Sequence, residues 1–564
     1  MNRHLSRRAL LQRAAVLGGG AALGALLPPW ARSNAQGAPP SMPELSGDDI
    51  KLTIGHTPIS IDGKSSHAVT INGTVPGPLV RLKQGQRARI SVTNTLDEET
   101  SIHWHGLLVP TGMDGVPGVS FPGIPPGQTF VYEFPVVQSG TYWYHSHSGM
   151  QAPMGHYAPI IIEPANADPV RSDREHVIVL SDHSDMHPHL IFKRLKQQGG
   201  VFNFQRQSLA SLLAGEDQSA AERAEWARML MDPTDISDVT GAAMTFLFNG
   251  HGPGDNWTAL FQPGERVRLR FVNAAAQMIF NVRIPGLKLM VTAADGQNVR
   301  PVEIDEFQIG NAETYDVLVQ PTDDGAYTIV AEAVDRSGMG RATLAPRPGM
   351  TAEVPPLRKR PLATMKDMGM EMPGMSHGGM DMSMRNPRNA PQIKMGPDVQ
   401  MITPMPLDRT GEPGQGLENA GHRVLVYKDL VALEPNPDTR APSRALEIRL
   451  TGNMERFSWG FDGWKFSEGP PPYSFRHGER VRVTLVNDTM MTHPIHLHGH
   501  FFELVHGPVG YLPRKHTVNV LPGGKVTFDL TAHEGDWAFH CHMLYHMHGG
   551  MFQVFKVRGA GDPS

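Results

Sequence analysis

One phrase occurs three times in this chain and restricts its fold more than any other feature. Gly85-Gln-Arg-Ala-Arg-Ile-Ser-Val-Thr-Asn94, Gly264-Glu-Arg-Val-Arg-Leu-Arg-Phe-Val-Asn273 and Gly478-Glu-Arg-Val-Arg-Val-Thr-Leu-Val-Asn487 share a turn glycine, alternating polar and apolar residues and a closing asparagine. Alternation with period two marks a strand with one buried face. Such a unit repeated along 564 residues means several similar domains rather than one large core. The 48 prolines and 59 glycines between short apolar runs favour turn-rich, all-β domains. The spacing predicts three β-sandwich domains over 45–165, 172–345 and 421–560. A helical insertion is expected in the second, from about Phe204 to Met231, as one or two amphipathic helices. Residues 346–420, rich in Pro, Gly and Met and without period, read as a linker or long loop.

Counting from each repeat glycine separates the copies by chemistry. Eighteen positions on lie His103, Val282 and His496; twenty on lie His105, Ile284 and His498. Later, Gly140-Thr-Tyr-Trp-Tyr-His145-Ser146-His147 aligns with Gly535-Asp-Trp-Ala-Phe-His540-Cys541-His542, where the middle copy has Val330-Ala331-Glu332. The outer copies thus carry four His-x-His pairs and the middle copy none. Eight imidazoles at matched positions of two domains need a common destination. Their number suits a cluster of three copper ions between those domains.

Cys541 is the chain's one cysteine, so no internal disulfide forms. With His493, His546 and Met551 it makes the ligand set of a blue electron-transfer copper: thiolate, imidazoles and a weak thioether. Alternate strand residues share a face, so His540 and His542 point away from Cys541. Metal on both sides of one strand, joined through the Cys541 backbone, is the expectation.

These four motifs, His103-Trp-His105-Gly, His145-Ser-His147, His493-Pro-Ile-His496-Leu-His498-Gly and His540-Cys541-His542-x3-His546-x4-Met551, resemble in order and spacing the copper motifs of multicopper oxidases. The resemblance implies cupredoxin-like Greek-key domains and four coppers. His493, Cys541, His546 and axial Met551 would hold type 1. His103 and His496 would hold type 2. His105, His145, His147, His498, His540 and His542 would hold the type 3 pair. It also implies one-electron oxidation of a donor coupled to reduction of O2 to water. Asp114, nine residues after His105, matches the family's acidic residue beside the cluster, a proton shuttle. Where relatives often place a second carboxylate this chain has Met547-His548, and His548 is a candidate for that role.

The donor is read from the methionines. Met365, Met368, Met370, Met372, Met375, Met380, Met382 and Met384 crowd one window around His377. Thioethers select Cu(I), so the window reads as a mobile Cu(I) collector. Asp488, Met490 and Met491, just before His493, are further Cu(I) candidates, since cuprous oxidases carry an Asp/Met site there. The cluster Asp182-His183-Ser-Asp185-Met186-His187-Pro-His189 reads as a solvated loop, and His56, His67, His422, His506 and His516 as structural or surface residues. Ser6-Arg7-Arg8-Ala9-Leu10-Leu11-Gln12, an apolar segment to Leu27 and Ser33-Asn34-Ala35 read as a twin-arginine signal peptide over 1–35, which predicts the export machinery as a partner and a periplasmic location. That segment holds five arginines and no acid, leaving 46 basic against 56 acidic residues, a balance that excludes a nucleic-acid footprint. No stable membrane insertion of the mature chain is expected. A small aromatic donor, as in a laccase-like phenol oxidase, and non-enzymatic copper sequestration stay open.

Overall fold

The computed structural model describes residues 42–370 and 384–559. The proposed leader, His377 and Met372, Met375, Met380 and Met382 lie outside them. Among the described residues six sheets form three two-sheet sandwiches. Each repeat is a central strand. Arg87–Asn94 lies between Asp49–Ile61, parallel, and Thr129–Pro135, antiparallel. Val267–Asn273 repeats this between Arg174–His183 and Thr314–Val319, and Arg480–Asn487 between Arg444–Asn453 and Gly524–Thr531. In the first copy Ala88, Ile90 and Val92 point into the core, as the alternation requires. In the middle copy both faces are buried: Arg268 and Arg270 pair with Asp316, and Arg270 also reaches Thr141 of the first sandwich.

The closing asparagine does the same work three times. Asn94, Asn273 and Asn487 are fully buried. Each side-chain oxygen accepts from the backbone N–H two residues on, at Leu96, Ala275 and Thr489. Each amide nitrogen donates to two backbone carbonyls nearby. A buried amide satisfied this way pins the loop that follows the strand. In the outer sandwiches that loop leads to a histidine-bearing strand.

The second sheet of each outer sandwich sets those strands side by side. His103–His105 pairs antiparallel with Gly140–His145, His103 opposite His145. His493–Leu497 pairs with Gly535–Cys541, His496 opposite His540. In the middle sandwich Val282 stands opposite Ala331, one residue away from the partner that counting from the repeat glycine implies.

Three helices punctuate the middle sandwich: Pro188–Gln197, Leu209–Leu213 and Ala220–Arg228. The last two occupy the expected insertion but are not amphipathic against the core. Leu209 and Leu213 are 71% and 81% exposed, and Trp226 alone of the third helix is buried. The first helix corrects the reading of 182–189 as a solvated loop: Asp182 is buried in the strand ending at His183, accepting from the Ala276, Gln277 and Met278 N–H groups, and the His187 cap with Pro188 at the first turn starts the helix. The described parts of the stretch read as a linker, 346–370 and 384–420, form a packed strap. Met368, Ile393, Val399, Met401, Ile402 and Leu417 are buried, and Leu407–Asp408 adds to the strand Gly524–Thr531. One continuous apolar core runs through the middle and third sandwiches, and a second fills the first. Among the described residues no helix is long and apolar enough to cross a membrane.

Candidate metal centre

The two histidine-bearing sheets meet so that their rings interleave. His103 stacks on His498 with centroids 3.7 Å apart, and His105 on His496 at 3.8 Å. Three donor groups form, each with ligand atoms within 4.8 Å: His103, His105 and His496; His105, His145 and His542; His147, His498 and His540. All eight histidines of the four pairs take part.

The outward nitrogens of most of these rings are already bonded. His103 Nδ1 reaches the Asp114 carbonyl at 2.9 Å, His145 Nδ1 that of Ser146 at 3.0 Å and His540 Nδ1 that of Cys541 at 3.0 Å. His496 Nδ1 reaches the His516 carbonyl at 2.7 Å, and His498 Nδ1 the Asp114 carboxylate at 2.9 Å. A ring that donates from one nitrogen is neutral with a lone pair on the other. Those lone pairs converge. His498 Nε2 lies 3.1 Å from His540 Nε2, and His145 Nε2 3.4 Å from His542 Nε2. His103 Nε2, His105 Nδ1, His147 Nε2 and His496 Nε2 are buried without a hydrogen-bond partner. Burial holds most of these imidazoles well below their usual pKa, so protons do not bridge the pairs. Converging neutral imidazoles with unused lone pairs fit cations.

On the other side of the same strand lies a second group. Cys541 Sγ is 3.6 Å from His493 Nδ1 and 3.8 Å from His546 Nδ1, and the two nitrogens are 3.1 Å apart. His493 Nε2 bonds Thr489 Oγ1 at 2.7 Å, and His546 Nε2 bonds Asp238 Oδ2 at 2.6 Å, so both Nδ1 atoms face the thiol. Burial pushes the Cys541 thiol pKa up, so a bound metal has to hold the thiolate. Met551 is fully buried, and its carbonyl accepts from the Cys541 N–H. Trp459 stacks on His546 at 4.0 Å.

Asp114 is buried between the rings of His103 and His498, at 3.3 and 2.9 Å. His548 is exposed, with Nε2 bonded to the Gly149 carbonyl, and joins none of the donor groups. Asp488 does not offer a free carboxylate for Cu(I): it is buried, paired with Arg449 and accepting from the Thr403 N–H at 2.8 Å. Its pKa is raised to about 6 by that burial. Met490, Met491 and Met368 are core residues, each at most 1% exposed, and Met365, Met370 and Met384 pack against the same core. Of the methionine window, these described members are therefore anchors rather than mobile collectors.

Sequence reasoning missed several groups around the site. His516, read as structural or surface, is fully buried with its ring edge-on to His105 at 4.8 Å and to His496 at 5.4 Å. Asp238 and Thr489 orient the two imidazoles facing Cys541, and neither lies in a motif that announces it. Asp238 is buried beside Asp235, with its pKa raised to about 7 by burial. A carboxylate behind a ligating imidazole fixes the ring and raises its basicity. Asp238→Asn is expected to weaken copper retention beside Cys541 by about 10–100-fold. The change should shift the blue absorption and spare the eight-histidine cluster. Copper titration followed by visible absorption checks it.

Three stretches, 53–167, 174–352 and 439–560, each match a family profile described as Multicopper oxidase. The chain is 46% identical to the Copper resistance protein A homolog of Pseudomonas syringae pv. tomato, over 94% of this chain and 95% of that one. It is 31% identical to Multicopper oxidase MmcO of Mycobacterium tuberculosis, over 90% and 86% of the two chains. Among solved structures, Fet3p, a multicopper oxidase that functions in iron import, shares the fold with a TM-score of 0.64 at 21% identity, covering 91% of this chain and 90% of that one.

Proposed function

This chain belongs to the multicopper oxidase family, copper oxidoreductases that use O2 and bind four coppers, and we propose that it oxidises Cu(I) as a copper-tolerance enzyme of the periplasm. One observation carries the oxidase reading: at the end of the strand Gly535–Cys541, Cys541 meets His493 and His546 on one side, while its neighbours in the chain, His540 and His542, enter the eight-imidazole cluster on the other. His493, Cys541, His546 and Met551 are the type 1 ligands in this reading, His103 and His496 the type 2 ligands, and the remaining six cluster histidines the type 3 ligands. Copper held by these residues would supply one-electron oxidation of the donor and four-electron reduction of O2 to water.

The protein's own groups prepare that chemistry. Burial keeps the imidazoles neutral, which is the form that ligates. The backbone from Cys541 to His540 and His542 is the short covalent link between the two centres. Asp114 accepts from His498 Nδ1 and lies against His103, so it holds two cluster rings and stands where a proton is needed. A narrow pocket lined by Trp143, His147, Ala275, His542, Leu544 and Met547 reaches the cluster between the sandwiches, a path for O2 and water.

Cu(I) as donor rests on the relatives named for copper resistance and on the thioethers at Met372, Met375, Met380 and Met382. The periplasmic location rests on the twin-arginine pattern at Ser6–Gln12. Changing those four methionines together to leucine is expected to lower kcat/KM for Cu(I) several-fold and leave phenol oxidation unchanged. Steady-state O2 uptake with each donor measures both. Equal loss with both donors, or none with either, removes Cu(I) collection from the account, and phenol turnover without Cu(I) turnover makes the enzyme a laccase-like oxidase.

A further inference from the structure

The middle sandwich supplies no imidazole to the cluster, yet one of its hairpins ends beneath it. Strands Leu289–Ala294 and Gln297–Ile304 are joined by the two-residue turn Asp295-Gly296. Both residues have positive φ, 48° and 73°, the left-handed pair a tight hairpin demands. Gly296 admits no side chain, since a Cβ there would lie 2.3 Å from the Tyr142 ring, and one on Gly140 would lie 2.1 Å from the Gly296 carbonyl. The hairpin tip is therefore pressed against the first sandwich.

Its other side meets the third. Asp295 Oδ2 accepts from the backbone N–H groups of His516 and Thr517, both at 3.1 Å. It also pairs with Lys515 Nζ at 3.1 Å, and Lys515 pairs with Glu313 at 3.0 Å. Tyr427 donates to Glu313 at 2.7 Å. Asp295, Lys515 and Glu313 are all fully buried. Burying three charged groups is expensive, and apolar side chains of similar volume usually serve stability as well or better. The segment they hold has a specific use. The His516 carbonyl accepts from His496 Nδ1 at 2.7 Å, and Thr517 Oγ1 lies 3.2 Å from His496 Nδ1 and 3.3 Å from His105 Nε2. Those contacts turn His496 so that Nε2 faces the cluster, and His105 so that Nδ1 does. Both inward nitrogens are without partners.

We propose that Asp295, at the tip of the middle sandwich's hairpin, is a positioning residue for the three-copper cluster, acting through the His516-Thr517 backbone on the ring orientations of His496 and His105. The ligand-free sandwich thereby becomes a template for a site built by its two neighbours, with Lys515 and Glu313 holding the Asp295 carboxylate in place. The inference rests on the ligand assignment above, which the unmodified protein tests separately: it should bind four coppers per chain, with a blue absorption and a type 2 EPR signal.

The test uses Asp295→Asn, which removes the charge, and Thr517→Val, which keeps the volume and removes the hydroxyl. Each full-length variant is loaded with copper and read by stoichiometry, visible absorption and EPR, with the melting temperature of the metal-free form measured alongside. Both are expected to keep the blue centre and to lose type 2 copper, or to change its EPR hyperfine pattern, with retention weakened about 10–100-fold. A lower melting temperature with four coppers and an unchanged type 2 signal in both variants would overturn the proposal, leaving the network a mere tie between sandwiches. If Asp295→Asn does not fold, Thr517→Val decides alone.

Discussion

Replacing Cys541 with serine is expected to abolish the blue absorption and O2 consumption with every donor, while copper binding falls from four ions per chain to three. Serine keeps nearly the same shape, so the strand Gly535–Cys541 and its pairing of Ile495 with Cys541 should persist. What changes is the ligand. A hard, weakly acidic hydroxyl replaces a soft thiolate between His493 Nδ1 and His546 Nδ1, and the trigonal site suited to electron transfer is gone. The cluster has its own donors, all outside this substitution, and should still fill. Copper stoichiometry, visible absorption and O2 uptake on one preparation check the three parts together. Undiminished O2 uptake by this variant would mean that electrons reach the cluster by a route other than Cys541.

The metal-free protein is expected to lose its fold as the pH drops from 6.5 towards 5. Burial lowers His156, His500 and His546 to about 3, and His516 and His540 to about 4. In the unfolded chain each titrates near 6.5. Above that value neither state binds these protons, and the stability of the neutral, buried form is fully present. Below it the unfolded chain takes protons that the folded one refuses, so stability falls with falling pH until the folded pKa is reached. Each group contributes a slope of about 1.4 kcal/mol per pH unit, and five together about 7. Against a net stability of roughly 5–15 kcal/mol, about one to two units suffice. Copper competes with protons for the His540 and His546 lone pairs, so the loaded protein should unfold at distinctly lower pH. Circular dichroism against pH, with and without copper, measures the separation. Coincident transitions would show that these sites do not hold the metal.

Much of this molecule is written locally. A strand's period of two assigns faces without knowledge of its neighbours, so the alternation in Arg87–Asn94 and Arg480–Asn487 was readable, as was the opposition of Cys541 to His540 and His542. Matched spacing in the two outer repeats identified eight histidines with one destination, because the same fold places the same position at the same point. That reasoning weakens where a partner overrides the pattern. The polar face of Val267–Asn273 is covered by the first sandwich, and the middle copy's strands pair one residue out of step. The window from Met365 onwards has the composition of a loop, yet Met368 is held in the core and Asp367 is paired with Arg409.

The repeats, the all-β class, the copper chemistry and the eight cluster imidazoles were determined by sequence alone, since each depends on residue type and short-range periodicity. Only the tertiary structure decided that Arg449 occupies Asp488, that Asp238 stands behind His546, and that Asp295 reaches across to His516 and Thr517. Those contacts join residues 39, 308 and more than 200 positions apart, over which no local period carries information. Whether a carboxylate serves as a ligand, an orienting group or an ion-pair partner depends on what packing brings within about 3 Å of it, and that is settled when the three sandwiches close on one another.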